Sequence, residues 1–99
     1  MIKPEDVKPH NFKDHKILYN DENFSIAWGK WENGDKHLAM RWNGGPGDVG
    51  YPKAFGNPVW FLIPRNLSIP ILRGVLGAEF SDCGVIATAI DEICKASTE

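Results

Sequence analysis

The chain has 99 residues, of which 42% are hydrophobic and 24% charged, and its formal net charge is −2. This length suits one domain, residues 1–99, and leaves no room for a second. The lack of a basic block argues against nucleic acid as a partner, because backbone binding depends on neutralising phosphates. The longest wholly apolar run, VWFLI, is too short for a membrane helix of roughly 20 residues, and the charged start is unlike a signal peptide. We therefore expect a cytoplasmic protein with no membrane partner.

The first 15 residues hold two prolines and charges of both signs without a sustained period. This composition predicts an N-terminal arm, residues 1–15, with at most a short helical turn. A first strand is predicted at residues 17–19, ILY, and the NDEN sequence of residues 20–23 predicts the turn that ends it.

A β-hairpin is the best determined element of the sequence. Apolar residues alternate with small or polar ones in FSIAWGKW and again in HLAMRW, and ENGD lies between the two segments. A two-residue Asn-Gly turn would set Trp28 opposite Ala39 and mix the two faces. A three-residue loop, residues 32–34, with Gly34 left-handed in a bulge, sets Trp28 opposite Leu38 and keeps one face apolar. We predict the three-residue loop.

The other face of this hairpin carries small and polar residues, and Trp31 is its one large ring. An aromatic ring on an open sheet face is the kind of platform on which single-strand-binding modules stack nucleobases. Because the chain lacks a basic groove, single-stranded nucleic-acid binding is kept only as a lower-ranked alternative.

A long Gly/Pro-rich connection, residues 43–57, follows the hairpin and contains a literal G-x-G-x-x-G, GPGDVG. The dinucleotide-binding fingerprint works only when a helix opens directly after it, so that the pyrophosphate sits on the helix N-terminus. Here YPKAFGNP follows, and only eight residues separate Gly50 from the next predicted strand, whereas a parallel crossover needs a dozen or more. The motif therefore predicts no nucleotide cofactor.

Unstructured connections of this length are usually functional or disordered. The aromatic residues and prolines of residues 43–57 predict an ordered loop that packs on the sheet. Two interpretations stay open, a structural lid and the rim of a small-molecule site, and in the second Arg41 would pair with an anionic group. The predicted ligand-binding residues are Arg41, Asn43, Asp48, Tyr51 and Trp31.

The last third of the chain predicts a strand and two helices. VWFLI, between Pro58 and Pro64, is typical of a strand covered on both faces, by the loop, by a helix or by a second copy of the protein. A helix capped by Ser68 is predicted to end at Gly77, and an amphipathic helix to begin after residue 81 or 82. The order of elements predicts an α+β fold, an antiparallel sheet of about four strands with two C-terminal helices packed on one face.

Patterns that carry chemistry are missing from the sequence. The three histidines have no metal-ligand spacing. Cys83 and Cys94 lie ~16 Å apart along the predicted helix, too far for a disulfide, which predicts reduced core thiols, with a bridge between subunits as the alternative. We predict no catalytic residue, no metal and no cofactor, and an unrecognised enzyme is kept as a lower-ranked alternative.

One segment resembles a known group of proteins. MRWNG…GYPKAFGNPVWFLIP, residues 40–64, followed by IPIL, residues 69–72, resembles small uncharacterised bacterial proteins, including products of mobile integron gene cassettes. The resemblance implies a compact accessory protein, an α+β homodimer, with no assigned activity and no established site residues.

The leading functional hypothesis is a small non-catalytic binding or interaction protein that self-associates as a homodimer. Its motivation is the doubly apolar strand and a stripe of small residues at a spacing of four, both of which require a neighbour. The predicted self-association residues are Val59, Phe61, Pro70, Gly74 and Ala78. The alternative hypothesis is small-molecule binding under the Gly-rich loop.

Overall fold

The computed structural model describes residues 2–97 and has an α+β fold. Four antiparallel strands form the main sheet, and two short strands form a separate small hairpin. The predicted fold class is confirmed. The strands are β1 Phe12–Asn20, β2 Phe24–Trp31, β3 Lys36–Trp42, β4 Lys53–Ala54, β5 Asn57–Pro58 and β6 Phe61–Leu62. The main sheet has the order β1-β2-β3-β6, and β4 pairs with β5. The α-helices are α1 Ser68–Val75 and α2 Cys83–Ser97, and short 3-10 turns occupy Pro4–Asp6 and Arg65–Leu67.

The β2–β3 hairpin has the predicted register. Trp28 pairs with Leu38, and the loop residues 32–34 connect the two strands. Gly34 has a φ of +90°, whereas Asn33 does not have a positive φ. The Gly34 N–H donates to the carbonyl of Trp31 at 2.8 Å, and the Trp31 N–H donates to that of Asp35 at 2.9 Å. The bulged three-residue loop is therefore confirmed.

Both helices pack on one face of the sheet and form the first core cluster. Asp82 caps the N-terminus of α2, because its Oδ1 accepts a hydrogen bond from the Val85 N–H at 3.1 Å. Gly77 follows α1 with a φ of +85°, as predicted for its end, but Ser68 is the first helical residue and makes no side-chain cap. The buried members of the cluster are Leu18, Ile26, Trp28, Leu38, Ile63, Leu72, Ile86 and Ala89.

The N-terminal arm covers the opposite face and forms a second core cluster. Trp60 donates from Nε1 to the carbonyl of Val7 at 2.9 Å, and both residues are buried. Gly29 is required beneath β1, since a methyl group there would lie 2.8 Å from the Phe12 ring and from Cβ of His15. The small residues on this face therefore make room for the arm and for β1. The buried members are Val7, Phe12, Ala27, Ala39 and Trp60.

Two sequence expectations about strands need correction. The first strand begins at Phe12, so residues 12–15 belong to β1 and the arm ends before them. β6 is only two residues long, because Val59 makes its backbone hydrogen bonds with Pro52 and with the Arg41 side chain. The apolar run is also not covered on both faces, since Phe61 is 58% exposed.

Helix α2 carries both cysteines. Cys83 and Cys94 are free thiols as predicted, but both are exposed, so the expectation that they lie in the core is wrong. The hydrophobic stripe that faces the sheet is formed by their neighbours Ile86 and Ala89 instead. Across residues 2–97, no helix combines the length and the apolar character needed to cross a membrane.

The buried position of Phe12 yields a stability prediction. Phe12→Ala should lower the free energy of unfolding by about 3 to 5 kcal/mol, because the ring is 1% exposed and its removal leaves a cavity between the arm and the sheet. Phe80→Ala removes the same atoms from a ring that is 54% exposed and should cost less than about 1 kcal/mol. Urea denaturation measures both, and equal costs would contradict the packing of the arm.

Candidate functional site

Three aromatic side chains are exposed at one end of the sheet, on the face that the helices cover elsewhere. Trp42 is 57% exposed, Tyr51 65% and Phe61 58%. They surround a cavity of about 180 Å³, which we name the aromatic groove. The residues that line it are Phe24, Met40, Arg41, Trp42, Tyr51, Pro52, Phe61 and Ile63.

Strand register and backbone hydrogen bonds hold the aromatic groove in shape. Phe24 lies opposite Trp42 in the β2–β3 ladder, and their rings meet edge to face with centroids 4.7 Å apart. Phe61 lies opposite Met40 in the β3–β6 ladder. Tyr51 is attached to Trp42 by two backbone hydrogen bonds, of 2.7 and 3.0 Å. The rings therefore project from paired backbone, which restricts their movement.

The turn before β2 holds Phe24 through a carboxylate. Oδ1 of Asp21 accepts hydrogen bonds from the backbone N–H groups of Phe24, at 2.7 Å, and Asn23, at 2.9 Å. These hydrogen bonds lower the pKa of the Asp21 carboxyl, and the bond from the Phe24 N–H has the largest effect. Tyr19 donates its hydroxyl to Oδ2 of the same carboxylate at 2.9 Å, and this bond raises the pKa of Tyr19.

Arg41 lies beneath the groove and is 1% exposed. Its guanidinium donates to three backbone carbonyls, those of Val49, Pro52 and Val59, and the Val59 bond is 2.5 Å long. Burial lowers the pKa of Arg41, but an arginine keeps its charge in proteins. No acidic side chain within the described residues forms an ion pair with it. The carbonyl dipoles therefore compensate the two terminal nitrogens of this buried cation, whereas its buried Nε has no hydrogen-bond partner among the described residues.

The Gly-rich loop folds around this cation. Gly50 has a φ of +80° and passes so close to β3 that an added methyl group would lie 2.0 Å from the Trp42 carbonyl oxygen. The loop thereby directs the Val49 carbonyl at Arg41. A phosphate-binding loop does the reverse, since it directs N–H groups at an anion. The geometry of the G-x-G-x-x-G is thus that of a loop built on an internal arginine.

The residues predicted for ligand binding are not brought together. Tyr51 is in the aromatic groove, while Arg41 is beneath it with its donors directed at carbonyls. Asn43 is buried; its Oδ1 accepts from Ser25 Oγ at 2.8 Å and its Nδ2 donates to the Glu22 carbonyl at 3.0 Å, which links the end of β3 to β2 and to the turn before β2. Asp48 is exposed and accepts from the Gly50 N–H, and Trp31 packs against the second core cluster. The five predicted ligand-binding residues are Arg41, Asn43, Asp48, Tyr51 and Trp31.

The residues predicted for self-association also separate. Phe61 lines the groove, and Val59 is half-buried beside Arg41. Pro70, Gly74 and Ala78 are exposed, but Ala78 lies beyond the end of α1, so the three do not form one helical stripe. Sequence reasoning missed Trp42 as a groove residue. The alternation of residues in β3 placed Trp42 on the apolar face, but it could not show that the helices leave this end of the face uncovered.

Other concavities are more polar. One of about 600 Å³ lies between the arm and β1 and is lined in part by lysines and acidic residues, among them Lys13 and Asp14. One of about 230 Å³ under α2 contains the ion-paired Lys36 and Glu92. Among residues 2–97, no group of three His, Cys, Asp or Glu could hold a metal ion.

The aromatic groove has the chemistry of a binding surface. Its lining contains no serine, cysteine, histidine, lysine or carboxylate, and Tyr51 supplies the one hydroxyl. What it offers is ring faces and ring edges with an apolar floor, which suit another aromatic or apolar group.

Comparisons of this chain with protein-family models, with curated proteins and with solved structures found no match. Its function is therefore inferred from the geometry of the site.

Arg41 provides a test of the loop's construction. Arg41→Met should cost about 3 kcal/mol or more in unfolding free energy, because the carbonyls lose charge-assisted hydrogen bonds worth about 1.5 to 3 kcal/mol each. Arg73→Met, on the exposed side of α1, should cost less than about 0.5 kcal/mol. Chemical denaturation compares the two, and a small cost for Arg41→Met would contradict an organising role.

Gly50 and Gly47 form a matched pair, since both have a positive φ, of +80° and +75°. Gly47→Ala should cost about 1 to 2 kcal/mol, the left-handed penalty alone, because the added methyl group would meet nothing within 4 Å. Gly50→Ala should cost more than about 3 kcal/mol, since the backbone must also move away from Trp42. Thermal or urea unfolding distinguishes them, and equal losses would show that close approach does not matter.

Proposed function

We propose that this protein is a small non-catalytic binding protein that self-associates, and that the aromatic groove is its binding surface. The observation that carries the proposal is the cluster of three exposed rings, Trp42, Tyr51 and Phe61, around one apolar cavity. Aromatic residues in a well-packed pocket dominate the energy of protein interfaces.

The rigidity of the groove supports binding. Trp42 is held by the edge-to-face contact with Phe24 and by the backbone bonds to Tyr51. An ordered ring loses little conformational entropy on association, so a larger share of its buried area appears as affinity. Each Å² of apolar surface removed from water contributes about 25 cal/mol before those costs.

The size of the groove supports a protein side chain as its occupant. Small-molecule sites usually enclose about 300 to 1,000 Å³. The groove encloses about 180 Å³ and is open on one side. A cavity of about 150 Å³ is large enough for benzene. A single inserted ring therefore matches the groove better than a cofactor-sized ligand.

The proposal predicts the assembly state and its sensitivity to one residue. Wild-type protein should be a dimer at tens of micromolar in sedimentation velocity and in native mass spectrometry. Trp42→Arg places a charge in the groove and should weaken the dimer by at least about 30-fold, the effect of an interface hot spot of 2 kcal/mol. The ring is 57% exposed, so the variant should keep its circular-dichroism spectrum.

Leu76→Arg is the matched control, because Leu76 is an exposed apolar residue that does not line the groove. It should leave the dimer intact. A wild-type monomer at these concentrations would contradict self-association, and equal weakening by Leu76→Arg would place the interface elsewhere. A bound small molecule would appear in the same mass spectrum as an adduct and would favour the alternative hypothesis.

A further inference from the structure

The hairpin formed by β4 and β5 presents an exposed aromatic residue at its tip. Its two turn residues, Phe55 and Gly56, both have a positive φ, of +52° and +79°. This is the conformation of a type I′ turn, which favours Asn, Asp or Gly at its first position. Phe55 is instead a bulky residue, and its side chain is fully exposed, at 105%.

Phe55 lies at the edge of a concavity of about 510 Å³ beside the arm, yet it buries none of its surface against the described residues. A left-handed conformation costs an L-residue with a Cβ roughly 1 to 2 kcal/mol, and an exposed ring gains no burial in return. Strained residues that persist without local compensation occur preferentially at binding sites. Phe55 therefore has the properties of a residue whose contact lies on another molecule.

We propose that Phe55 of a second copy of this chain fills the aromatic groove, and that the insertion is reciprocal. This inference rests on the proposed function and names the occupant of the same site. The groove of about 180 Å³ has room for one phenyl ring. The rings of Trp42, Tyr51 and Phe61 would surround that phenyl ring. Edge-to-face contacts between aromatic rings contribute about 0.5 to 1.5 kcal/mol each.

The position of Phe55 in the chain favours a closed dimer. Pro52 lines the groove, and Phe55 follows it by three residues, so their Cα atoms lie at most about 10 Å apart. In the proposed dimer a two-fold axis relates the two contacts, so that each Phe55 lies against the other copy's groove. Such a contact is isologous and ends at two subunits, whereas a distant knob and hole would produce a ring or a filament.

The exposed area agrees with a real interface. The four rings, Phe55 with the three of the groove, expose roughly 550 Å² between them if a full aromatic side chain offers about 200 Å². A standard interface buries about 800 Å² on each partner. The rings alone therefore supply most of the area that a stable dimer needs, and the rest can come from residues of the same loop.

The test measures the dimer dissociation constant of full-length variants by sedimentation. Phe55→Asn should raise it at least about tenfold, because the inserted ring is lost. At a protein concentration low enough for both proteins to be monomers, the same variant should unfold with equal or higher free energy, since Asn tolerates the left-handed turn better than Phe. Phe55→Tyr should retain the dimer, and Phe80→Asn, which removes an exposed ring outside the groove, should leave the constant unchanged.

A mixing experiment tests whether knob and groove meet. Phe55→Asn retains an intact groove, and Trp42→Arg retains an intact Phe55, so a mixed pair keeps one complete contact while either homodimer keeps none. With one variant isotope-labelled, native mass spectrometry should show heterodimers in excess of both homodimers. Folded variants that give no excess of heterodimer would overturn the pairing.

The outcomes separate the two proposals. If Trp42→Arg disrupts the dimer and Phe55→Asn does not, the groove mediates self-association but Phe55 is not its occupant. If the wild-type protein is monomeric, both proposals fail together. If Phe55→Asn disrupts the dimer and also lowers the unfolding free energy of the monomer, Phe55 acts on the fold of the hairpin, and the proposed insertion is wrong.

Discussion

Three carbonyl oxygens from one stretch of chain converge on the guanidinium of Arg41, and the exposed end of the molecule depends on this contact. A buried cation without a carboxylate partner is costly unless its donors are satisfied. Here backbone carbonyls accept from both terminal nitrogens, Nη1 and Nη2, while the buried Nε has no hydrogen-bond partner among the described residues. To bring these carbonyls to Arg41, the loop must follow a path that only glycine allows at Gly50. The same contact draws Val59 away from β3 and shortens β6 to two residues. Tyr51 reaches the rim of the groove because the loop takes this path.

The two faces of the sheet are covered by different means. On one face the helices bring large apolar side chains to the large apolar side chains of the strands. On the other face the strands carry small residues, and three segments cover them: the arm brings Val7, β1 brings the ring of Phe12, and the chain just before β6 brings the ring of Trp60. The groove exists because the helical cover ends before the last cross-strand pairs, Phe24 with Trp42 and Met40 with Phe61. An apolar face continues beyond the elements that bury it.

Much of the fold could be predicted from the sequence, and the failures have identifiable causes. Strict alternation and one glycine determine the β2–β3 register, since a slip of one residue would mix the faces. The start of β1 was hidden because two register irregularities, one with Asp14 at a φ of +54°, interrupt the period of two. In the site, Arg41 was recognised as important, but its partners are backbone carbonyls, and no spacing of side chains reveals those. Whether Trp42 lies in the core or at its margin depends on where a helix stops, which is a property of the assembled layers.

The hydrogen bond from Trp60 to Val7 also determines when the arm can pack on the sheet during folding. It joins residues separated by 53 positions, and the second core cluster depends on the same two segments. During synthesis the Val7 carbonyl is made 53 residues before the indole ring that donates to it. Contacts between distant segments form only after the loop between them has closed, at an entropic cost. The arm can therefore take its place on the sheet only after Trp60 has been made.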